Sequence, residues 1–325
     1  MAAGKQGSNA VWFFVDGYNV LSAKVKNLTC KVMSKLEDTT GLGDTWDEHT
    51  PVGRSSVTLT QAGAFFDTTD VTGSHVAFKD SVPSSPQATE RIITFGFAGN
   101  AIGELATGLQ GAFTSAYDVA AQNEALTKIN VEHQISGQRN NGVIVQHSTA
   151  KTADWDTDSA DLDSTTIPQR VVAISNASVA NPTVITTVGK HGRTTGDKVL
   201  ISGSNSTPTI DGDRTITVTG ESTFTVAVNV TVQGTAGSYV PTTTQDGCVG
   251  YHQVSAFSGF SGYVLTIRDS ADGITYASLL AFPNVTSGPT AQRATATGGV
   301  DRYWSVSGDV TGSGSVTPLA VLCRL

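Results

Sequence analysis

The chain has little positive charge, few cysteines and no long apolar run, and each shortage removes a class of function. Twenty Lys and Arg stand against 28 Asp and Glu in 325 residues, a net charge of −8, with a pI near 5.1. A nucleic-acid-binding surface needs clustered Lys and Arg, so that class is not expected, and an acidic surface repels DNA. The three cysteines, Cys30, Cys248 and Cys323, are far apart, odd in number and without C-x-x-C spacing. Buried free thiols are expected rather than a disulfide framework or a zinc knuckle. The opening "MAAGKQGSNA" has no apolar core of a signal peptide, and no run reaches the length of a membrane span. The chain is expected to be made in a cytoplasm, where it stays soluble or assembles.

Catalytic signatures are missing as well. The six histidines show no H-x-x-x-H pair and no Cys at ligand spacing. His191, in "KHGRTTGD", reads as a surface turn residue. No G-x-S-x-G elbow occurs. "GFAGNAIGELATGLQG" is neither a dinucleotide turn nor a phosphate loop, and its glycines are read as relieving crowding between strands. No enzyme activity, cofactor or metal is expected.

What the chain has is Gly, Ser, Thr and Val, with 38% hydrophobic and only 15% charged residues. That is the composition of a mainly β protein rich in turns. Two apolar runs flank an Asp16-Gly17 turn signal. Strand alternation follows in "AKVKNLTCKV", and again in "SSVTLTQAGAFF" and "ERIITFGFAG". "SAYDVAAQNEALTK" (115–128) reads as the one short helix. "LTKINVEHQISGQRNNGVIVQHSTA" reads as a hairpin turning at "GQRNNG", and "DRYWSVSGDVTGSGSVTPLAVLCRL" as a closing hairpin around "TGSGS". "DWDTDSADLD" reads as part of a solvated linker. Two Pro- and Thr-flanked stretches, hinged at Pro168 and Pro241, bracket a compact β pattern. Residues 167–245 are therefore read as a small all-β domain inserted into a discontinuous domain of residues 1–166 and 246–325.

One stretch stands out. "KLEDTTGLGDTWDEHTPVG" gathers Glu37, Asp38, Asp44, Asp47, Glu48 and His49 around Trp46. It is longer than a tight connection needs, and long loops of this kind are usually functional. It lacks the alternating carboxylates of a calcium loop. A metal site, a carboxylate cluster and a solvated loop are the readings that residue types alone leave open.

With these strands placed, a family resemblance emerges. Thr39-Thr40, Gly43-Asp44, Trp46, Pro51, Gly53 and the returning "GAFFD" of Gly63–Asp67 follow one another as in the tail tube (major tail) proteins of long-tailed, non-contractile bacteriophages. The stretch from Asp269 onward, "DSADGITYASLLAFPNV" to "VTPLAVL", is similar to that family's closing strands. The resemblance covers 12–166 and 246–325 and leaves the insert outside it. It implies a β-sandwich or barrel with one short helix and a long loop. Copies would form hexameric rings that stack, each giving four strands to one inner barrel. It implies a virion structural protein, assembled in the host cytoplasm, that conducts the genome during ejection. Partners would be other copies of itself, the tape measure, terminator and baseplate or distal tail proteins, and DNA passing without specific binding. On this reading Glu37, Asp38, Thr40, Asp44, Trp46, Asp47, Glu48 and Pro51 form a ring-stacking loop. The alternative is a tail decoration or a receptor- or glycan-binding protein.

Overall fold

The computed structural model describes residues 11–19, 26–34, 36–38, 40, 45, 49–51, 56–68, 74–79, 90–121, 123, 125–161, 171–243, 247–270, 273–301 and 303–324. In chain order the first strands are β1 (Trp12–Val15), β2 (Tyr18–Asn19), β3 (Asn27–Met33), β4 (Leu36–Asp38), β5 (His49–Pro51) and β6 (Ser56–Phe65). The short helix α1 (Ser74–Phe78) precedes β7 (Arg91–Gly96), β8 (Leu105–Ala120), β9 (Lys128–Ile135), β10 (Arg139–Gln146) and β11 (Trp155–Asp161). Then come β12 (Val172–Ala177), β13 (Thr183–Thr187), β14 (Lys198–Ser202), β15 (Gly212–Thr215), β16 (Thr217–Gly220), β17 (Thr223–Val226) and β18 (Ser238–Thr243). The chain closes with β19 (Cys248–Ser270), β20 (Ala277–Ala281), β21 (Thr290–Ala296) and β22 (Tyr303–Arg324).

The fold is mainly β, with a nearly closed, barrel-like sheet among its sheets, and most of its strands join one large sheet. Thirteen strands form it, in the order β2-β1-β7-β8-β10-β22-β19-β20, with β11, β21 and the run β3-β6-β9 branching from β22, β19 and β8. The middle of this sheet is buried on both faces, which is why β1 reads as the unbroken apolar run WFFV. Phe13 and Val15 face a cluster with Leu59, Phe78, Ile93 and Val131. Trp12 and Phe14 face the opposite cluster, with Ile144, Tyr251 and Val321. A third cluster, around Tyr263, Trp304 and Val316, fills the space between β19, β20 and β22. Glycine makes the close approaches possible. A Cβ on Gly108 would fall 2.2 Å from the Tyr251 ring.

Among the described residues, β12–β18 pair only with one another, in a seven-stranded sheet ordered β15-β14-β18-β12-β13-β17-β16. They enclose their own cluster of Ile174, Ile185, Val199, Ile201, Phe224 and Tyr239. β12 and β18 are antiparallel neighbours, Val172 opposite Tyr239, so the chain enters and leaves this sheet side by side. Outside it, β11 ends with Asp161 opposite Tyr303 and β19 begins with Cys248 opposite Arg324. β22 curls so that its own two ends approach each other: the Arg324 guanidinium lies 5.1 Å from the Trp304 ring centroid and donates to the Asp301 carbonyl at 2.6 Å.

Several sequence expectations are corrected. Ser115–Ala120 belong to β8, not to a helix, because pairing with β9 along that stretch outweighs helix propensity. The one helix among the described residues is α1, elsewhere. β9 and β10 do not form a hairpin. They follow each other along a single partner, β8, with Ala112 opposite Ile135 and Leu109 opposite Arg139. The Asn-Asn-Gly of "GQRNNG" is strand: Asn140 is buried and donates to the Tyr251 hydroxyl at 2.7 Å, and Gly142 lets the Leu322 carbonyl approach. β22 likewise runs straight through "TGSGS", paired with β19 along its length with register shifts. "DWDTDSAD" is the edge strand β11 and the residue before it, not linker. Asp154 accepts from the Val310 amide at 2.7 Å and Asp156 pairs with Arg268 at 2.8 Å.

Candidate assembly interface

Among its described residues, the stretch that stood out in the sequence contributes two short strands, β4 and β5, beyond the longer pair that precedes and follows it. β3 and β6 pair from Asn27–Ala62 to Met33–Ser56, and the hairpin β4–β5 follows with Leu36 opposite Pro51 and Asp38 opposite His49. At the base of this arm Leu28 and Cys30 pack on the core, and burial pushes the Cys30 thiol up. Further out the core ends but the apolar residues do not. Val32, Met33 and Leu36 are 47%, 43% and 54% exposed. Glu37, Asp38 and Thr40 are exposed beside them. The Asp38 carboxylate accepts from the Thr40 amide at 2.9 Å, and hydrogen bonding from Thr40 holds it below the usual carboxylate range. Asp44, Trp46, Asp47, Glu48 and Pro168 lie outside the described residues. Pro51 falls in β5. Pro241, expected as a hinge, sits inside β18 opposite Val199, two residues before that strand ends.

The arm springs from an antiparallel four-stranded run, β3-β6-β9-β8. Alternation gives it two unlike faces. Val57, Leu59, Ile129, Val131 and Ala112 point into the core. Thr29, Thr58, Thr60, Asn130 and Gln134 point away from it. Among the described residues nothing pairs with the outer edge of β3, nor with the outer edge of β8 beyond Ala112, where β7 stops. β3 and β8 run in opposite directions, since three antiparallel steps separate them. A copy rotated about an axis along the strands would therefore meet β8 with its own β3 in antiparallel pairing. Sequence reasoning missed this second edge, because 115–120 carries the residue types of a helix.

Other polar groups serve the interior. His133 is fully buried under Phe78, and desolvation, helped by the Arg91 charge, pushes it down to about 3. Its Nδ1 lies 3.2 Å from the Thr114 hydroxyl. Desolvation likewise takes His252 down to about 4, against a hydrogen bond with Gln292. Both rings are neutral spacers in apolar clusters. His191 is buried, not a surface residue. Its Nδ1 accepts from the Arg193 amide at 2.9 Å, and its Nε2 lies 2.8 Å from the Gly220 carbonyl. Burial pushes the Cys248 and Cys323 thiols up to about 12, which keeps them protonated and inert.

No family model and no curated protein matches the chain. Among solved structures, it is similar to a chain of the virion of a native gene transfer agent particle, at 13% identity and a TM-score of 0.32, over 42% of this chain and 98% of that one. It is similar to a chain of the sheath–tube complex of an extracellular contractile injection system, PVC, in the extended state, at 12% identity and 0.33, over 44% and 94%. It is also similar to the SPP1 Dit protein, described as a hub adsorption apparatus of phages infecting Gram-positive bacteria, at 8% identity and 0.26, over 97% and 99%. Identities and scores this low leave the function to be read from the geometry.

Proposed function

We propose that this chain is a structural virion protein, a tail tube subunit whose hexameric rings stack into the conduit for the phage genome. The observation that carries the reading is the pair of open, oppositely directed edges on β3-β6-β9-β8. Unpaired edges of this length invite another strand, and closure into a barrel removes them. Six copies of four strands give 6 × 4 = 24. At roughly 4.8 Å spacing and a tilt of about 40°, the backbone diameter is about 50 Å, leaving roughly 40 Å for a duplex. The same edge used head to tail is a heterologous contact, which closes into a ring when the rotation allows it.

The arm is then the contact between rings. Its apolar stem, Val32, Met33 and Leu36, is exposed in the single chain. Glu37, Asp38, Thr40, Asp44, Asp47, Glu48 and Pro51 would meet the neighbouring ring, with Trp46 as anchor. Residues 167–245 form a module on the tube exterior. Its support is the side-by-side entry and exit through β12 and β18, and the approach of the two ends of β22, which pair with the flanking strands β11 and β19. The partners are other copies and the proteins that cap, template and terminate such a tube, in a non-contractile tail. A glycan-binding alternative draws no support from the module: its aromatic rings, Phe224 and Tyr239, are 0% and 1% exposed and cannot stack on a sugar. The test is electron microscopy of the concentrated protein in virion-like salt. Hollow rods are the expected result, and a persistent monomer contradicts the proposal.

A further inference from the structure

We infer that each copy carries a second axial contact, separate from the arm: an apolar lip of Phe97, Ile102 and Leu105 at one end of its strands, which seats on Phe66, Val119 and Leu126 at the opposite end of the next copy. This rests on the tube reading and adds surfaces that meet between rings. Strands β3, β6, β9, β8, β7 and β1 surround one apolar cluster, which includes Leu28, Leu59, Val131, Ala112, Ile93 and Phe13. At both ends of these strands the apolar residues run on past the buried core. At the arm end Phe95 belongs to the cluster, and Phe97 packs on it edge to face with ring centroids 5.4 Å apart. Phe95 pairs with Thr107, which puts Phe97 beside Leu105, the first residue of β8. Ile102 stands next to them on a turn that is tied down. The Glu104 amide donates to the Ala101 carbonyl at 3.1 Å, and the Gly103 amide to the Ile144 carbonyl at 2.8 Å.

At the far end Tyr117 packs on the cluster, and Val119 lies beyond it, opposite Ile129. His75 Nδ1 is 2.6 Å from the Tyr117 hydroxyl, and the His75 ring centroid is 4.4 Å from that of Phe66. The Phe66 amide donates to the Thr127 carbonyl at 2.9 Å, which brings Leu126 to the same place. Exposed apolar groups that cluster in this way mark interaction sites, and their placement selects the occupant. Leu105 and Val119 lie near opposite ends of one sixteen-residue strand. The open edges of β3 and β8 face round the ring, so the strand ends face along its axis. The arm end of one copy then meets the far end of the next, a heterologous contact that can repeat indefinitely. Charge agrees: Lys26 is exposed just before β3, and Glu37 and Asp38 are exposed just beyond it, so head-to-tail stacking brings unlike charges together. Shape agrees as well. Leu126, 69% exposed, projects from the loop between β8 and β9. Beside Ile102 is an open recess of about 550 Å³, lined also by Gln146, His147, Lys151 and Asp156, with room for that loop.

The experiment uses rods of the full chain in a Cys30→Ser background. Ile102→Cys with Leu126→Cys in one chain, treated with a short bis-maleimide, is expected to give covalent ladders longer than a dimer in rods and none in the unassembled chain. Val119→Cys replaces Leu126→Cys if that pair does not assemble. Rods that form without a ladder overturn the contact while leaving the tube reading in place. Failure of the unmodified chain to form rods overturns the tube reading, and the inference with it. Leu126→Asp, or Ile102→Asp if the first does not fold, is expected to leave rings, which close through the β3 and β8 edges. Rods should fall roughly tenfold or more, as the loss of a buried apolar anchor predicts. Rods at the unmodified level, or loss of the rings together with the rods, contradict the axial assignment.

Discussion

The seven-stranded sheet of residues 172–243 and the four-stranded run β3-β6-β9-β8 are both half-buried β structures, and they finish their edges in opposite ways. The first ends in β15 and β16, four residues each, and some of its hydroxyls bond its own backbone. Thr183, for example, donates to the Val228 carbonyl at 2.7 Å. Short edge strands offer no template for another chain. The second ends in a seven-residue β3 with no proline and with Val32 and Met33 in the open, and in the far half of the sixteen-residue β8. On the proposed assembly, the difference separates a unit that is finished as a monomer from one that would be completed by its neighbours.

The largest expected effect is in the doubly buried middle of the large sheet. Gly108→Val would drive a side chain into the Tyr251 ring, costing about 4 kcal/mol or more. Soluble yield and the thermal midpoint should collapse, and a midpoint shifted by only a few degrees would refute the packing described.

Acid should separate the two regions next. His133 and His252 are neutral in the fold, with values of about 3 and about 4 against an ordinary 6.5. Both lie in the large unit. Because the unfolded chain binds protons that the folded chain refuses, stability is complete above pH 6.5 and falls as pH drops toward 4. The slope is about 1.4 kcal/mol per pH unit for each fully titrating histidine. Denaturant midpoints at pH 7, 5.5 and 4.5 should show it, and His133→Leu should remove roughly half the slope. An unchanged midpoint across that range would contradict the buried neutral rings.

A smaller energetic change should have the larger consequence for assembly. Val32→Lys with Met33→Lys alters exposed positions, so monomer stability should move by no more than about 0.5 kcal/mol. Rods should nonetheless disappear. The same change at Val188 or Val232, exposed on the small sheet, should leave rods in place. Rods from the first variant, or their loss in the second, would break the contrast between the regions. Joining Ser164 to Asp246 should also leave rods, since on the proposed assembly the small sheet takes no part in closing the barrel. Smallest of all is Glu221→Ala, which removes the Lys190 pair at 2.8 Å, about three-quarters exposed on both sides. Such pairs contribute about 0–1 kcal/mol, and no change in melting beyond a degree or two is expected.

Alternation made much of the fold legible in the sequence. "NLTCKVM", "SVTLTQAGAF" and "RIITFG" are β3, β6 and β7, and "VAISNA", "TVITT" and "KVLIS" are β12, β13 and β14. The Asp16-Gly17 turn was readable because both residues take positive φ, 49° and 88°. The misreadings share a cause. In β8, β10 and β22, local signals for a helix or a turn sit in chains held by partners far along the sequence: Ala116 by Glu132, Asn141 by Thr107, Val310 by Tyr263. Glycine is ambiguous in the same way, since it permits a turn and equally permits two strands to touch. For the site, the composition of the arm was legible, but its open partner edge on β8 was hidden by the apparent helix.

The central claim is that β3 and β8 of successive copies join into one continuous barrel. The most direct test is a side-chain-resolved density map of the assembled protein. The account expects hollow rods whose inner wall passes without a gap from Phe113–Ala120 of one copy into Asn27–Met33 of the next, in antiparallel pairing. Rods that leave both edges open, or a monodisperse chain that never assembles, would contradict it.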